Sequence, residues 1–205
     1  MSRNEVCVVD YGLGNLRSVE NGLHAAGVAC RFVRTPEDVC RAGRLLLPGV
    51  GAFNAGMQNL RKDGLVQAIR EAVAKGTPLL GICLGMQLLV SRGDEGGVTE
   101  GLDLIPGEIR LFGEVPELRI PHMGFNEVEI SIESPLFNNI NNRSDFYFVH
   151  SFHAVVADKK NEIASATYGE RFSAVIGMGH VIGTQFHPEK SQSQGLQLLK
   201  NFCAI

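Results

Sequence analysis

Four short aliphatic runs, VCVVDY (6–11), VACRFV (28–33), RLLLPG (44–49) and PLLGIC (78–83), are spaced along the first half of the chain with helical patterns between them. Runs of this length suit buried strands. Asn15 is placed to cap a helix in which Leu16, Val19, Leu23 and Ala26 recur at helical spacing, with Gly27 as its stop. Thr35 and Pro36 open a short second helix. The spacing predicts one long amphipathic helix over 57–75 ending at Gly76, and another over LGMQLLVSR, 84–92. Strand and helix in strict alternation imply a parallel sheet with helices on both faces.

Beyond about residue 95 the rhythm changes. GEIRLFGEVPELRIPHMGFNEVEISIE (107–133) has short strands, turns and prolines, as an antiparallel excursion does. DFYFVHSFHAVV (145–156) is strand-like, a hairpin is expected around Gly177-Met178-Gly179, and residues 191–203 close the chain as a helix. The expected architecture is a three-layer α/β fold, its central sheet mostly parallel, with a small added antiparallel region. No linker or repeat divides the chain, so residues 1–205 read as one domain.

A net charge of −3 offers no attraction to nucleic acid or an anionic membrane. No apolar run approaches the ~20 residues of a membrane helix, and the first residues lack the pattern of a signal peptide. The cysteines Cys7, Cys30, Cys40, Cys83 and Cys203 are odd in number, scattered and without C-x-x-C spacing. That argues against a disulfide framework and structural zinc, and for a reducing cytoplasm. Four read as small buried hydrophobes. His150 and His153, three apart on one expected strand, should face opposite sides, so no metal site is expected.

The fifth, Cys83, stands in Gly81-Ile82-Cys83-Leu84-Gly85 where a strand meets a helix. This is the thiol form of the G-x-S-x-G elbow, which exposes a nucleophile at the top of a sheet. The flanking glycines let strand and helix approach closely, the helix start favours a thiolate, and the Leu84 N–H is placed to meet an oxyanion. By itself the pentapeptide also fits a structural cysteine at a tight turn. His187 and Glu189 in QFHPE are two residues apart, so an extended chain puts them on one face, where the carboxylate can fix the imidazole. Alone, that pair also reads as a surface turn. Pro48-Gly49-Val50-Gly51 follows the third strand, and its N–H groups can point into a site as a second oxyanion donor, although alone the segment reads as a plain loop.

PGVGAF, GICLGMQLL and TQFHPEKS together closely resemble the class I, triad-type glutamine amidotransferases over essentially the whole chain. GLGNL (12–16), PHMGFN (121–126) and YFVHSF (147–152) narrow the likeness to the glutaminase subunits of imidazole glycerol phosphate synthases. The resemblance implies Cys83 as nucleophile, His187 as proton carrier and Glu189 as its orienting partner. It implies Val50, Gly51 and Leu84 as oxyanion donors, and Gln87, His150, Ser151 and Phe152 as the glutamine pocket. No cofactor or metal is implied. The implied partner is a (βα)₈-barrel cyclase that takes the ammonia, with Asn15, His122, Met123, Gly124, Phe125 and Lys190 at the interface. Phe125 stands where the family usually carries tryptophan, losing an indole N–H. Such variants resemble paralogues that feed ammonia to a sugar-amidating synthase, which leaves the acceptor open. A dinucleotide-binding reading of Gly12-Leu13-Gly14 fails at position 17, where the fingerprint needs glycine and Arg17 stands.

Overall fold

The computed structural model describes residues 5–113 and 119–205. The first half runs β1 (Glu5–Val9), α1 (Leu16–Ala25), β2 (Ala29–Val33), α2 (Pro36–Cys40), β3 (Leu45–Leu47), α3 (Phe53–Lys62), α4 (Leu65–Ala74), β4 (Leu79–Ile82) and α5 (Leu84–Leu88). The second half adds β5 (Val90–Gly93), β6 (Thr99–Glu100), β7 (Ile105–Leu111), β8 (His122–Ile130), β9 (Ser144–His150), β10 (Phe152–Val156), β11 (Glu162–Tyr168), β12 (Glu170–Met178), β13 (Val181–Thr184) and α6 (Gln192–Ala204). The expected segment at 107–133 falls partly on residues 114–118, outside the described residues.

Nine strands form one sheet in the order β2-β1-β3-β4-β13-β12-β11-β8-β9. The pairings from β2 through β13 are parallel and those from β13 through β9 antiparallel. The α/β class therefore holds, with an antiparallel share larger than expected. The β12–β13 hairpin turns at Gly179, as the sequence predicts.

Strand parity divides the core. In β1, Cys7 and Val9 face the layer of α3, α4 and α5, while Val6 and Val8 face α1 and α6. Leu45 and Leu47 of β3 join the first layer and Leu46 the second. Central parallel strands are buried on both faces, which is why their sequences are unbroken aliphatic runs rather than alternating ones. A second sheet, β10-β7-β5-β6, extends the α3–α5 layer through Val90, Ile105, Ile109 and Ala154.

Three expectations need correction. The long helix over 57–75 is two helices, because Gly64 adopts the left-handed conformation (φ 69°) and turns the chain between them. The helix from Leu84 stops at Leu88, since Val90 onward pairs with β7 as a strand, and β propensity there serves the second sheet. Of the four cysteines read as buried, Cys7 is, whereas Cys30, Cys40 and Cys203 are half-buried. The Asn15 and Thr35 caps form as expected, each side chain accepting an N–H three residues on.

Candidate active site

Three neighbouring parallel strands end at the same edge of the sheet, and each delivers one part of the site. β3 leads into Pro48–Gly51, β4 into Cys83, and β13 into Gln185–Glu189. The carboxyl ends of parallel strands are where open α/β sheets build their sites.

Cys83 carries φ 53° and ψ −111°, a conformation unusual for a side-chain-bearing residue. Its neighbours enforce it. A Cβ on Gly81 would lie 2.6 Å from the Gly85 carbonyl oxygen, and one on Gly85 would collide with the Leu47 carbonyl. The Cys83 N–H donates to Thr184 O at 2.8 Å, locking the elbow to β13. The residue is 7% exposed, so its sulfur faces a cavity instead of standing on the surface. The thiol donates to Val149 O and accepts from Gln185 Nε2, both at 3.9 Å.

His187 and Glu189 are held together, with Nδ1 2.8 Å from Oε1 and side chains only 3% and 2% exposed. The His187 N–H donates to Tyr147 O at 2.9 Å, anchoring the segment to β9. His187 Nε2 is buried without a hydrogen-bond partner. Burial works against a charged ring, but the Cys83 sulfur and the Glu189 carboxylate outweigh it and push the imidazole up to about 9. A thiol, an imidazole with a vacant Nε2 and an orienting carboxylate form a set suited to nucleophilic acyl transfer.

Cys83 and His187 line one cavity of about 470 Å³, together with Val50, Gly51, Leu84, Gln87, His150, Ser151 and Phe152. All the residues expected to bind substrate are thus gathered in it. The two loop glycines differ, however. Gly51 is at φ 107° with open space beside it, whereas a side chain on Gly49 would strike the Tyr11 hydroxyl and meet Leu84 Cβ at 2.9 Å. Gly49 is needed for close packing, and rotational freedom resides at Gly51. Gln87 Nε2 donates to Phe152 O at 3.0 Å and to Gln185 Oε1 at 3.2 Å.

The residues expected at a partner surface separate. Met123 (62% exposed) and Phe125 (50%) face outward from β8, and Asn15 and Lys190 are exposed. Gly124 sits between them at φ 134°. His122 is a correction. It is buried on the opposite face of β8, stacked against Phe148 and Tyr168 at centroid distances of 4.9 and 4.1 Å. Strand alternation makes this necessary once Met123 points out. His150 and His153 are also not on one strand. The chain bends at Ser151, and both rings pack on Phe112.

Two residues were missed. Gln185, fully buried, touches the sulfur, and Tyr147 packs edge-on against Phe125 with Lys190 Nζ 5.7 Å from its ring. Gln185 stands two residues before His187, and its place beside the only buried thiol of the elbow is set by the β4–β13 pairing, which a single sequence does not display.

The described residues contain no helix long and apolar enough to cross a membrane. A Campylobacter jejuni protein named imidazole glycerol phosphate synthase subunit HisH 1 is 48% identical, over 98% of this chain and all of that one. The subunit HisH of Methanosarcina barkeri is 47% identical over 96% of both chains. The structure of PurLQS from Thermotoga maritima shares the fold, with a TM-score of 0.75 at 17% identity over 97% of this chain and 96% of that one. The family model for glutamine amidotransferase class-I matches residues 7–205, and with that full-length match the chain belongs to the class I glutamine amidotransferases.

Proposed function

We propose that this chain is the glutaminase subunit of an imidazole glycerol phosphate synthase. The observation that carries the reading is the strained Cys83 sharing one cavity with the His187–Glu189 pair, in a chain that matches HisH proteins over nearly its full length.

In this reading Cys83 turns from Val149 O toward His187, and Nε2 takes the sulfur's proton to give a thiolate–imidazolium pair, the charged ring form that the sulfur and Glu189 favour. The sulfur attacks the side-chain amide carbon of glutamine. The N–H groups of Leu84 and of the Val50–Gly51 segment receive the oxyanion, an arrangement in which one donor is typically worth ~10²–10³ in rate. Collapse breaks the C–N bond, and the His187 imidazolium protonates the departing nitrogen, releasing ammonia. Water then attacks the γ-glutamyl thioester with His187 as base, the C–S bond breaks, and glutamate leaves with the thiol restored. Gln87 has both amide hydrogens committed to Phe152 O and Gln185, so it offers the substrate its carbonyl oxygen. His150, Ser151 and Phe152 line the same cavity.

Free ammonia is protonated in water and lost as a nucleophile, so the product needs a direct acceptor. That acceptor is a (βα)₈-barrel cyclase seated on Asn15, Met123, Gly124, Phe125 and Lys190. HisH names among relatives at 42–48% identity support the histidine pathway over a sugar-amidating one. Five free cysteines, three of them half-buried, support a reducing cytoplasm.

The test pairs the chain with a histidine-pathway cyclase. The complex is expected to make imidazole glycerol phosphate from glutamine. Cys83→Ala is expected to abolish that synthesis and leave the ammonia-dependent reaction intact. Failure of the unsubstituted complex with a competent cyclase would point to the sugar-amidating alternative.

A further inference from the structure

A continuous line of polar groups, half-buried at Asn126 and buried from His122 inward, runs from the strand carrying Met123 and Phe125 to the Cys83 sulfur. Asn126 Nδ2 lies 3.4 Å from His122 Nε2, His122 Nδ1 is 3.1 Å from His150 Nε2, and His150 Nδ1 is 2.8 Å from Phe152 O. The same carbonyl accepts from Gln87 Nε2 at 3.0 Å. Gln87 continues to Gln185 Oε1, and Gln185 Nε2 reaches the sulfur.

Backbone carbonyls, which can only accept, fix every orientation in the line. Phe152 O requires a hydrogen on His150 Nδ1, so the neutral ring's Nε2 is an acceptor. His122 must then donate from Nδ1 and accept at Nε2. Asn126 supplies that hydrogen from the amide nitrogen that also donates to Thr167 O at 2.9 Å. On the other side, Gln87 Nε2 is pinned by Phe152 O, which turns Gln185 Oε1 toward it and leaves Gln185 Nε2 for the sulfur. Burial holds both rings neutral, His122 at about 4 and His150 at about 3. A charged ring would put donor against donor between His122 and His150.

We propose that Asn126, His122, His150 and Gln185 are positioning residues, a fixed-tautomer chain that ties the partner-facing strand to the substrate wall and the nucleophile. None of the four needs to touch the reacting atoms of glutamine. The chain sets where the Phe152 carbonyl and the Cys83 sulfur sit, and it does so from β8, whose other face presents Met123 and Phe125. This rests on the reading above that those two residues meet the cyclase, and deepens it by giving docking a physical route to the site.

The test uses the complex with the cyclase. His122→Phe keeps a ring between Phe148 and Tyr168 but removes the donor to His150, while His122→Asn restores a donor near the Nδ1 position. The kcat and KM for glutamine with and without cyclase, the affinity of the complex and the melting temperature are measured for each. His122→Phe is expected to lower glutamine turnover by the complex about tenfold, the scale of one buried hydrogen bond, at unchanged affinity for the cyclase. His122→Asn is expected to recover most of it. Gln185→Met is expected to alter the rate at which iodoacetamide labels Cys83, read by peptide mass spectrometry. Wild-type turnover in His122→Phe overturns the chain. So does equal loss in both His122 variants that merely follows melting temperature, or unchanged Cys83 labelling in Gln185→Met. A wild-type complex that transfers no ammonia overturns the functional reading instead, and is recognised before any variant is made.

Discussion

His187 Nδ1 lies 2.8 Å from Glu189 Oε1, and both side chains are almost wholly removed from solvent. The segment is not extended throughout, as the sequence suggested: His187 is (φ −98°, ψ 96°), but Pro188–Lys190 form a 3-10 turn, and that turn brings Glu189 back beside the ring. The carboxylate requires hydrogen on Nδ1, leaving Nε2 for the thiol proton. Glu189→Gln keeps the shape but loses the charge that steadies the imidazolium. It is expected to lower kcat for glutamine hydrolysis by up to roughly 10⁴, the loss seen when a triad's orienting carboxylate is neutralised. Steady-state glutamate release checks this, and a fall of less than threefold would contradict the role of Glu189.

Opposite pH signs follow for the buried imidazoles. His187 is held near 9, above its ordinary 6.5. Its contribution to stability is therefore complete below pH 6.5 and lost as pH rises through 9. His122 and His150 are depressed to about 4 and 3, so the folded state resists protons that the unfolded chain accepts. They erode stability as pH falls below 6.5. Denaturant unfolding of wild type and His187→Gln from pH 6 to 10 is expected to show a gap that narrows as pH rises. With His122→Phe, the loss of stability between pH 6.5 and 4 is expected to flatten.

What the sequence disclosed depended on how local each constraint is. The elbow was legible because a nucleophile on a sharp turn needs small residues at fixed offsets, and Gly81 and Gly85 stand two either side of Cys83. The His187–Glu189 pair was legible because the two residues are close in sequence, although a 3-10 turn over Pro188–Lys190, and not extended chain, joins them. The break at Gly64 was hidden by helical periodicity on both sides of it. The change to strand at Val90 was hidden because that segment's partner, β7, lies about fifteen residues on. His122 was misplaced although its parity with Met123 and Phe125 was readable. The PHMGFN motif spans both faces of a strand, with Met123 and Phe125 outward and His122 buried. Gln185 and Tyr147 gain their roles only through pairings between distant segments, β4 with β13 and β9 with the His187 segment.

The elbow tolerates no added carbon. A Cβ on Gly85 overlaps the Leu47 carbonyl, which is backbone of the last β3 residue, held in register opposite Gly81 of β4. Gly85→Ala is expected to destabilise the chain by at least the ~1–3 kcal/mol of ordinary overpacking, and to displace Cys83. Gly76→Ala is a comparison free of collision, since nothing lies within 4 Å, though its φ of 91° strains any side chain. Thermal melts of the two check the assignment: a larger loss at Gly85, with turnover abolished there and retained at position 76, is expected.

The outward face of β8 is the last place where chemistry and geometry can be separated. Phe125 is half exposed and meets Tyr147 edge-on at 5.6 Å, and Lys190 reaches over the same tyrosine. Aromatic anchors flanked by a cation are the kind of group that carries binding energy when a partner excludes water from them. Removing the Phe125 ring is expected to weaken cyclase binding by about 1–3 kcal/mol, roughly five- to 150-fold in Kd, and Met123→Ala by less. Met178, similarly exposed at 48% on the β12–β13 hairpin, serves as control, and Met178→Ala is expected to leave the affinity unchanged. Calorimetric titration of the cyclase into each variant decides it. Equal effects at Phe125 and Met178 would mean that hydrophobic exposure alone, with no particular surface, governs association, and the β8 face would lose its claim as the docking site.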